Sequence, residues 1–319
     1  MEHSAVEQPL ISVLAVFGAE RSRNIPLLNA LARQTIGGRM ELVLVDVAPA
    51  NAPSLDLPDG IDCRIIRRPG SWDWGAARAA AVRAAGAPLV AFLEDHTVPS
   101  DRWAEEVLEQ FERSDPDTTA ICYAFTNGSP DTWFYRSVFM AEYGALAHPM
   151  DEGSPPSATA NNIAYRRSAL LELGEKLDDL LELDFFLQNH LGDRFKAVSA
   201  PRAILAHQTN SRLRDLVTGH FGYARLFASR RIRHEGWSMP KRLLGAVSVP
   251  ILVPAIRLGR LFGALPGRGL AWDVVFGLPV IALLYLAGAA GESAGLLEGG
   301  EHSARDVVWL ELEAPRELK

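Results

Sequence analysis

The chain has 319 residues, 48% of them apolar and 22% charged, with a net charge of -7. That length suggests two modules of roughly 100–200 residues each. The apolar share excludes a disordered chain, and the acidic balance argues against nucleic acid as a partner, since such binders carry a basic balance across the domain. Cys63 and Cys122 are the only cysteines and show no close pairing pattern, which speaks against a disulfide framework or a zinc site and fits a reducing compartment. Met1–Glu7 lacks a basic stretch followed by an apolar one, so no cleaved signal is expected and the N-terminal part is expected to stay in the cytoplasm.

In chain order, Ile11–Phe17 is almost continuously apolar and predicts a strand buried on both faces. Asn24 is expected to cap a helix over Ile25–Arg33. Glu41–Val47 predicts a second strand and Cys63–Arg67 a weaker third. Asp73 is placed to cap an alanine-rich helix to about Ala85, Pro88–Leu93 reads as another buried strand, and Ser100 as the cap of a helix through Phe111. This alternation implies a mostly parallel sheet with helices on both faces. The region from Ala120 to His207 is less regular. It suggests a strand at Ala120–Phe125, a helix around Trp133–Leu146, a polar loop at Asp151–Pro156, a segment Ala160–Arg166, and helices near Ser168–Leu173 and Leu180–Leu191.

The last third changes character. Leu243–Ile256 and Ala271–Ala290 are strongly apolar, and the second approaches the roughly 20 residues of a membrane span. The first contains Pro250 and Pro254 and ends at Arg257 and Arg260, as a kinked span, a re-entrant piece or an interfacial helix would. Arg230, Arg231, Arg233, Lys241 and Arg242 precede it, a basic flank expected on the cytoplasmic side. The chain therefore divides into an α/β domain over 1–240, membrane-associated helices over 241–295 and a tail over 296–319, whose apolar stretch Val307–Leu310 has no assignment.

Chemistry-bearing residues gather where open parallel sheets bind ligands, outside the C-terminal ends of their strands. Asp46 closes the second strand, and Glu94-Asp95-His96 closes Pro88–Leu93. Acids and an imidazole at a strand end suit a hard divalent cation, which in turn holds a diphosphate. Read alone, Asp46 is equally a turn residue. The phosphate-loop pattern and the Gly-x-Ser-x-Gly elbow do not occur, which disfavours phosphate-loop enzymes and α/β-hydrolases.

The order of these features resembles glycosyltransferase family 2. Leu31-Ala32-Arg33-Gln34-Thr35 is similar to the end of its first helix, and Val43-Leu44-Val45-Asp46 to its aspartate-ended strand. Gly75-Ala76-Ala77-Arg78 stands for its glycine–alanine–arginine helix, although Ala79 replaces the usual asparagine. Aligning on Pro99 sets Glu94 and His96 at the two acidic positions of the family's Asp-x-Asp motif, with Asp95 between them, a departure that swaps a carboxylate for a softer ligand. Asn161-Asn162-Ile163-Ala164-Tyr165-Arg166-Arg167 looks like a stretch near the acceptor side. Leu181-Glu182-Leu183-Asp184 looks like the acidic helix start that supplies the catalytic base. Asp184 is the better match and Glu182 the alternative. Pro201–His207 resembles the strand whose histidine completes the metal site, and Gly222-Tyr223-Ala224-Arg225 and Ala290–Gly295 look like membrane-proximal parts of bound members.

The resemblance implies a glycosyltransferase-A fold carrying an apolar helical segment at its C-terminal end. It implies an inverting transferase of the hexosyltransferase type that moves sugar from a nucleotide-sugar donor to a lipid-linked, saccharide or other hydroxyl acceptor. Cell-envelope polysaccharide and the cytoplasmic face of the inner membrane are the expected setting. Asp184 or Glu182 would deprotonate the acceptor. Asp46, Arg78, Glu94 and Asp95 would hold the donor, and Glu94, Asp95, His96 and His207 a Mg or Mn ion at the leaving diphosphate. Two other readings stay open. One is a nucleotidyltransferase, for which Phe17-Gly18-Ala19-Glu20-Arg21-Ser22-Arg23 offers a faint basic loop; the other is a degenerate transferase serving as a non-catalytic membrane partner.

Overall fold

The computed structural model describes residues 8–58, 60–153, 155, 161–209, 212–300 and 302–313. Met1–Glu7, Ser154 and Pro156 of the expected polar loop, and Ala160 lie outside the described residues. The chain divides into two compact units. Unit 1 comprises Met1–Ala124 and Met150–Ala206, and unit 2 comprises Phe125–Pro149 and His207–Lys319.

Unit 1 is built on strands β1 (Ile11–Phe17), β2 (Met40–Asp46), β3 (Asp62–Arg67), β4 (Leu89–Phe92), β5 (Thr97–Pro99), β6 (Ala120–Asn127), β7 (Ile163–Arg166) and β8 (Ala197–His207), of which β6 and β8 run past Ala124 and Ala206 with their last residues. They form one eight-stranded sheet in the order β3-β2-β1-β4-β7-β6-β8-β5. β1 pairs parallel with β2 on one side and with β4 on the other, and β3 pairs parallel with β2. All seven residues of β1 and of β2 are buried, which explains their unbroken apolar runs. Beyond β4 the pairing turns antiparallel, to β7 and then β6. The sheet is mixed, and the expected parallel character holds only for its first four strands. The short β5 was not legible in the sequence.

The helices of unit 1 are α1 (Asn24–Ala32), α2 (Trp74–Ala84), α3 (Trp103–Arg113), α5 (Arg167–Leu171), α6 (Leu177–Leu180) and α7 (Asp184–Leu191); α4 (Trp133–Tyr143) belongs to unit 2. Asp73 caps α2 as expected, its carboxylate accepting from the Ala76 amide at 2.9 Å. Two caps differ from expectation. Asn24 opens α1 from inside, after a 3-10 turn at Arg21–Arg23. Ser100 serves α3 with its carbonyl, which accepts from Trp103 N at 2.9 Å, while Arg102 holds the cap position without a side-chain bond. Gly75 has a steric reason. A Cβ there would run into the Asp178 carbonyl and come within 2.8 Å of Glu182 N, so its absence lets α2 lie against the segment that carries Glu182.

Unit 2 contains α4, α8 (Leu213–Glu235), α9 (Met239–Gly263), α10 (Ala271–Glu298) and α11 (Ser303–Leu312). The unassigned Val307–Leu310 lies in α11, where Leu310 and Val307 meet α8 at Gly219 and Gly222. α9 runs on through Pro250 and Pro254. Helices α9 and α10 are each long and apolar enough to cross a membrane. The buried side of α10 carries Gly277, Gly288, Gly291 and Gly295, and a Cβ at Gly291 or Gly295 would strike the carbonyl of Phe221 or Arg225 on α8. Ala228, Val249, Ala289 and Leu296 form the small core shared by α8, α9 and α10.

Candidate active site

The strand order reverses at β1. The chain builds β2 and β3 on one side of it and then crosses to place β4 on the other. A crevice outside the carboxyl ends of the strands is expected at such a switch point. A small pocket sits there, lined by Val16 from the end of β1, Phe92 and Glu94 from the end of β4, Trp74 and Arg78 from α2, and Asn161. Asp46 pairs with Phe17 at the end of β2, on the far side of β1 from Glu94. Two strand spacings, about 10 Å, separate those flanks, so the two acidic features border the same end of the sheet.

Each acid is held by a partner. Asp46 accepts from Arg21 at 2.9 and 3.0 Å, from Arg67 at 3.1 Å, and from the amide of Ala48, two residues on, at 3.2 Å. Asp95 pairs with Arg23 at 2.9 Å. Glu94 accepts from the side-chain amides of Asn161 at 2.8 Å and Asn162 at 2.5 Å, and Glu94 N donates to the side-chain Oδ1 of Asn162 at 3.0 Å. His96 sets Nδ1 at 2.8 Å from Asp95 Oδ1 and Nε2 at 3.6 Å from Glu94 Oε2. A proton on Nδ1 directed at Asp95 gives Nε2 the lone pair, the tautomer a metal ligand needs. A carboxylate oxygen and an imidazole nitrogen 3.6 Å apart fit around one ion with ligand distances of about 2.0–2.2 Å. The donor set therefore fits a divalent cation.

Asp184 sits differently. It opens α7 and is fully buried, and its two oxygens meet the Arg78 guanidinium at 2.5 and 3.2 Å. Arg78 also donates to the Leu181 carbonyl at 2.9 Å and lies 4.3 Å over the Phe92 ring. Glu182, two residues earlier, is partly exposed. Burial pushes the Asp184 carboxyl up to about 6, against the opposing pull of Arg78 and with a small upward push from Glu94. Its folded value lies above the unfolded one. The native state thus keeps a proton here that the unfolded chain has released between pH about 4 and about 6. This group's contribution to stability is fully present below pH about 4 and is lost as pH rises through about 6. Asp184→Asn, which does not titrate, is expected to flatten that limb of a plot of urea midpoint against pH.

His207 ends β8 and belongs to unit 2, where its carbonyl accepts from Gly128 N at 2.8 Å and its ring packs 4.3 Å from that of Tyr143. The sequence reading missed Arg21, Arg23 and Arg67 as partners of the acids, and Asn161 and Asn162 as partners of Glu94. The legible signal was electrostatic. Two arginines follow β1 directly, at the sheet end where the acids are buried, and a buried carboxylate requires a partner.

Residues 25–174 match the family model described as Glycosyl transferase family 2. Among solved structures the chain resembles the mannosyltransferase PcManGT from Pyrobaculum calidifontis in complex with GDP-Man and Mn2+, at 15% identity and a TM-score of 0.53, over 89% of this chain and 86% of that one. It is also similar to TarS 1-349 of S. aureus in complex with UDP, at 15% identity and a TM-score of 0.44, over 89% and 90% of the two chains. No curated protein matches the sequence. Over residues 25–174 the chain carries a glycosyl transferase family 2 domain, on a glycosyltransferase-A type fold.

Proposed function

We propose that the protein transfers a sugar from a nucleotide-sugar donor to an acceptor hydroxyl, with inversion and with a divalent cation, at the cytoplasmic face of a membrane. The observation that carries the proposal is the meeting of Arg78, Glu94 and Asn161 around a pocket at the sheet's switch point. The donor class is the one named for the mannosyltransferase, a nucleoside diphosphate sugar. Glu94 and His96 hold the Mg or Mn ion, Asp95 orients His96, and His207 is the further ligand implied by the resemblance. A bound cation supplies positive charge to the departing diphosphate. Asp46, with Arg21 and Arg67 around it, is assigned to the base or ribose of the donor, and Arg78 borders the donor pocket.

Glu182 is the general base in this reading. Asp184 keeps Arg78 in place. The assignment is supported by the exposure of Glu182 against the enclosure of Asp184. Acceptor classes remain those the resemblance implies, a lipid-linked or saccharide hydroxyl, and cell-envelope polysaccharide is the proposed product class.

His96→Ala removes one ligand but leaves Glu94 and its two asparagine partners. Donor binding measured by calorimetry with Mn2+ is expected to weaken at least tenfold in His96→Ala, and binding measured in EDTA to be the same in both proteins. Equal binding of the donor by wild type and His96→Ala in Mn2+ would remove His96 from the metal site. His207→Ala, measured in parallel, tests the further ligand by the same comparison.

A further inference from the structure

The apolar helices α9 and α10 have two faces with opposite environments. The inner face of α10 is committed to protein along its length. Near its start, the Phe276 carbonyl accepts from Trp133 Nε1 at 3.0 Å, and Asp273 lies 3.9 Å from Arg136 of α4. At mid-helix, Tyr285 Oη donates to the Ala141 carbonyl at 3.1 Å. Toward its end Gly291 and Gly295 let the α8 backbone approach, and Glu292 pairs with Arg231 at 2.9 Å. Helices α4 and α8 carry charges, Arg136 and Glu142 on α4 and Arg225 and Arg231 on α8. Threading α10 through hydrocarbon would either strip it from these helices or carry their charges into lipid, and charges are costly there.

The outer face is bare. On α9, Leu244, Val247 and Ile251 are 72%, 77% and 74% exposed at helical spacing, and on α10 Trp272 and Phe276 are 70% and 64% exposed one turn apart. The segment from 239 to 272 carries Lys241, Arg242, Arg257, Arg260 and Arg268 and not one acid, in a chain whose net charge is -7. Lys241 and Arg260 are exposed. An apolar stripe with basic residues and an exposed tryptophan fits the headgroup boundary of an anionic bilayer.

We infer that α9 and α10 form an in-plane hairpin which seats its outer face in one leaflet of an anionic membrane, and that neither helix crosses. The inference deepens the membrane part of the proposed function and is independent of the sugar chemistry.

Two measurements on the full chain test it. In flotation, protein is expected to rise with phosphatidylcholine vesicles containing phosphatidylglycerol, and less with phosphatidylcholine alone. The paired substitution Leu244→Glu/Ile251→Glu is expected to cut the bound fraction at least tenfold, with circular dichroism unchanged because both positions are exposed. Pro266→Cys marks the exposed connection between the helices. In intact expressing cells it is expected to resist a membrane-impermeant maleimide and to react once the cells are opened. Labelling of Pro266→Cys in intact cells would show a crossing hairpin and overturn the in-plane mode while leaving membrane attachment standing. Failure to float, or flotation unaffected by the paired substitution, would overturn the lipid-facing surface itself. Self-association in place of flotation would assign the face to a second copy. Donor turnover measured in detergent separates all these outcomes from a failure of the transferase reading.

Discussion

Glu182→Gln is expected to lower turnover by about 10²- to 10⁴-fold, the usual share of a general base, while leaving donor affinity and thermal stability as they are. The amide has the shape of the carboxylate but accepts no proton from the attacking hydroxyl. Glu182 is partly exposed, and an amide of the same shape is expected to be accommodated there without loss of the fold. Both kcat and kcat/KM should fall together, since a base acts only in the transition state. Asp184→Asn is the necessary companion. It is expected to keep turnover within about tenfold of wild type, a small loss beside that of a general base. Full activity in Glu182→Gln together with a collapse in Asp184→Asn would return the base to Asp184.

Arg78→Met is the second large effect, and it acts on stability. The guanidinium and the Asp184 carboxylate are both buried, and removing one partner strands the other. Breaking a pair of this kind costs about 3–5 kcal/mol. The cost should depend on pH in a defined direction. Above pH about 6 Asp184 is ionised and needs Arg78. Below that it is protonated and needs it less. The urea midpoint of Arg78→Met should therefore fall furthest behind wild type near pH 8 and draw closer near pH 5. A constant deficit across that range would mean that Arg78 contributes through contacts that do not titrate, such as its bond to the Leu181 carbonyl and its packing over Phe92, and not through the Asp184 charge.

Much of unit 1 was legible because its determinants are local. The apolar runs at Ile11–Phe17 and Met40–Asp46 are buried on both faces, and the Asp73 cap is a contact over three residues. The strand-end positions of Asp46 and Glu94 followed from the apolar runs Glu41–Val47 and Pro88–Leu93. What the sequence hid was set by contacts far apart in the chain. Asn161 and Asn162 reach Glu94 across 67 and 68 positions, and Asp184 reaches Arg78 across 106. A hydropathy pattern reports neither. For the same reason the antiparallel pairing of β7 with β4 was not visible, because the four-residue β7 is too short to show a period. In the last third, composition revealed that α9 and α10 are apolar. It did not reveal that α10 already spends one face on α4 and α8, which depends on where Gly291 and Gly295 fall around the helix.

The most direct test of sugar transfer is donor turnover by the purified full-length chain. It would be incubated with a panel of nucleoside diphosphate sugars, with Mg2+, with Mn2+ and with EDTA, and the released nucleoside diphosphate measured. The expected result is release from at least one donor in the presence of a divalent cation, abolished by EDTA and strongly reduced in Glu182→Gln. Absence of both binding and release for every donor with either cation would contradict the transferase assignment and favour a non-catalytic role for the domain.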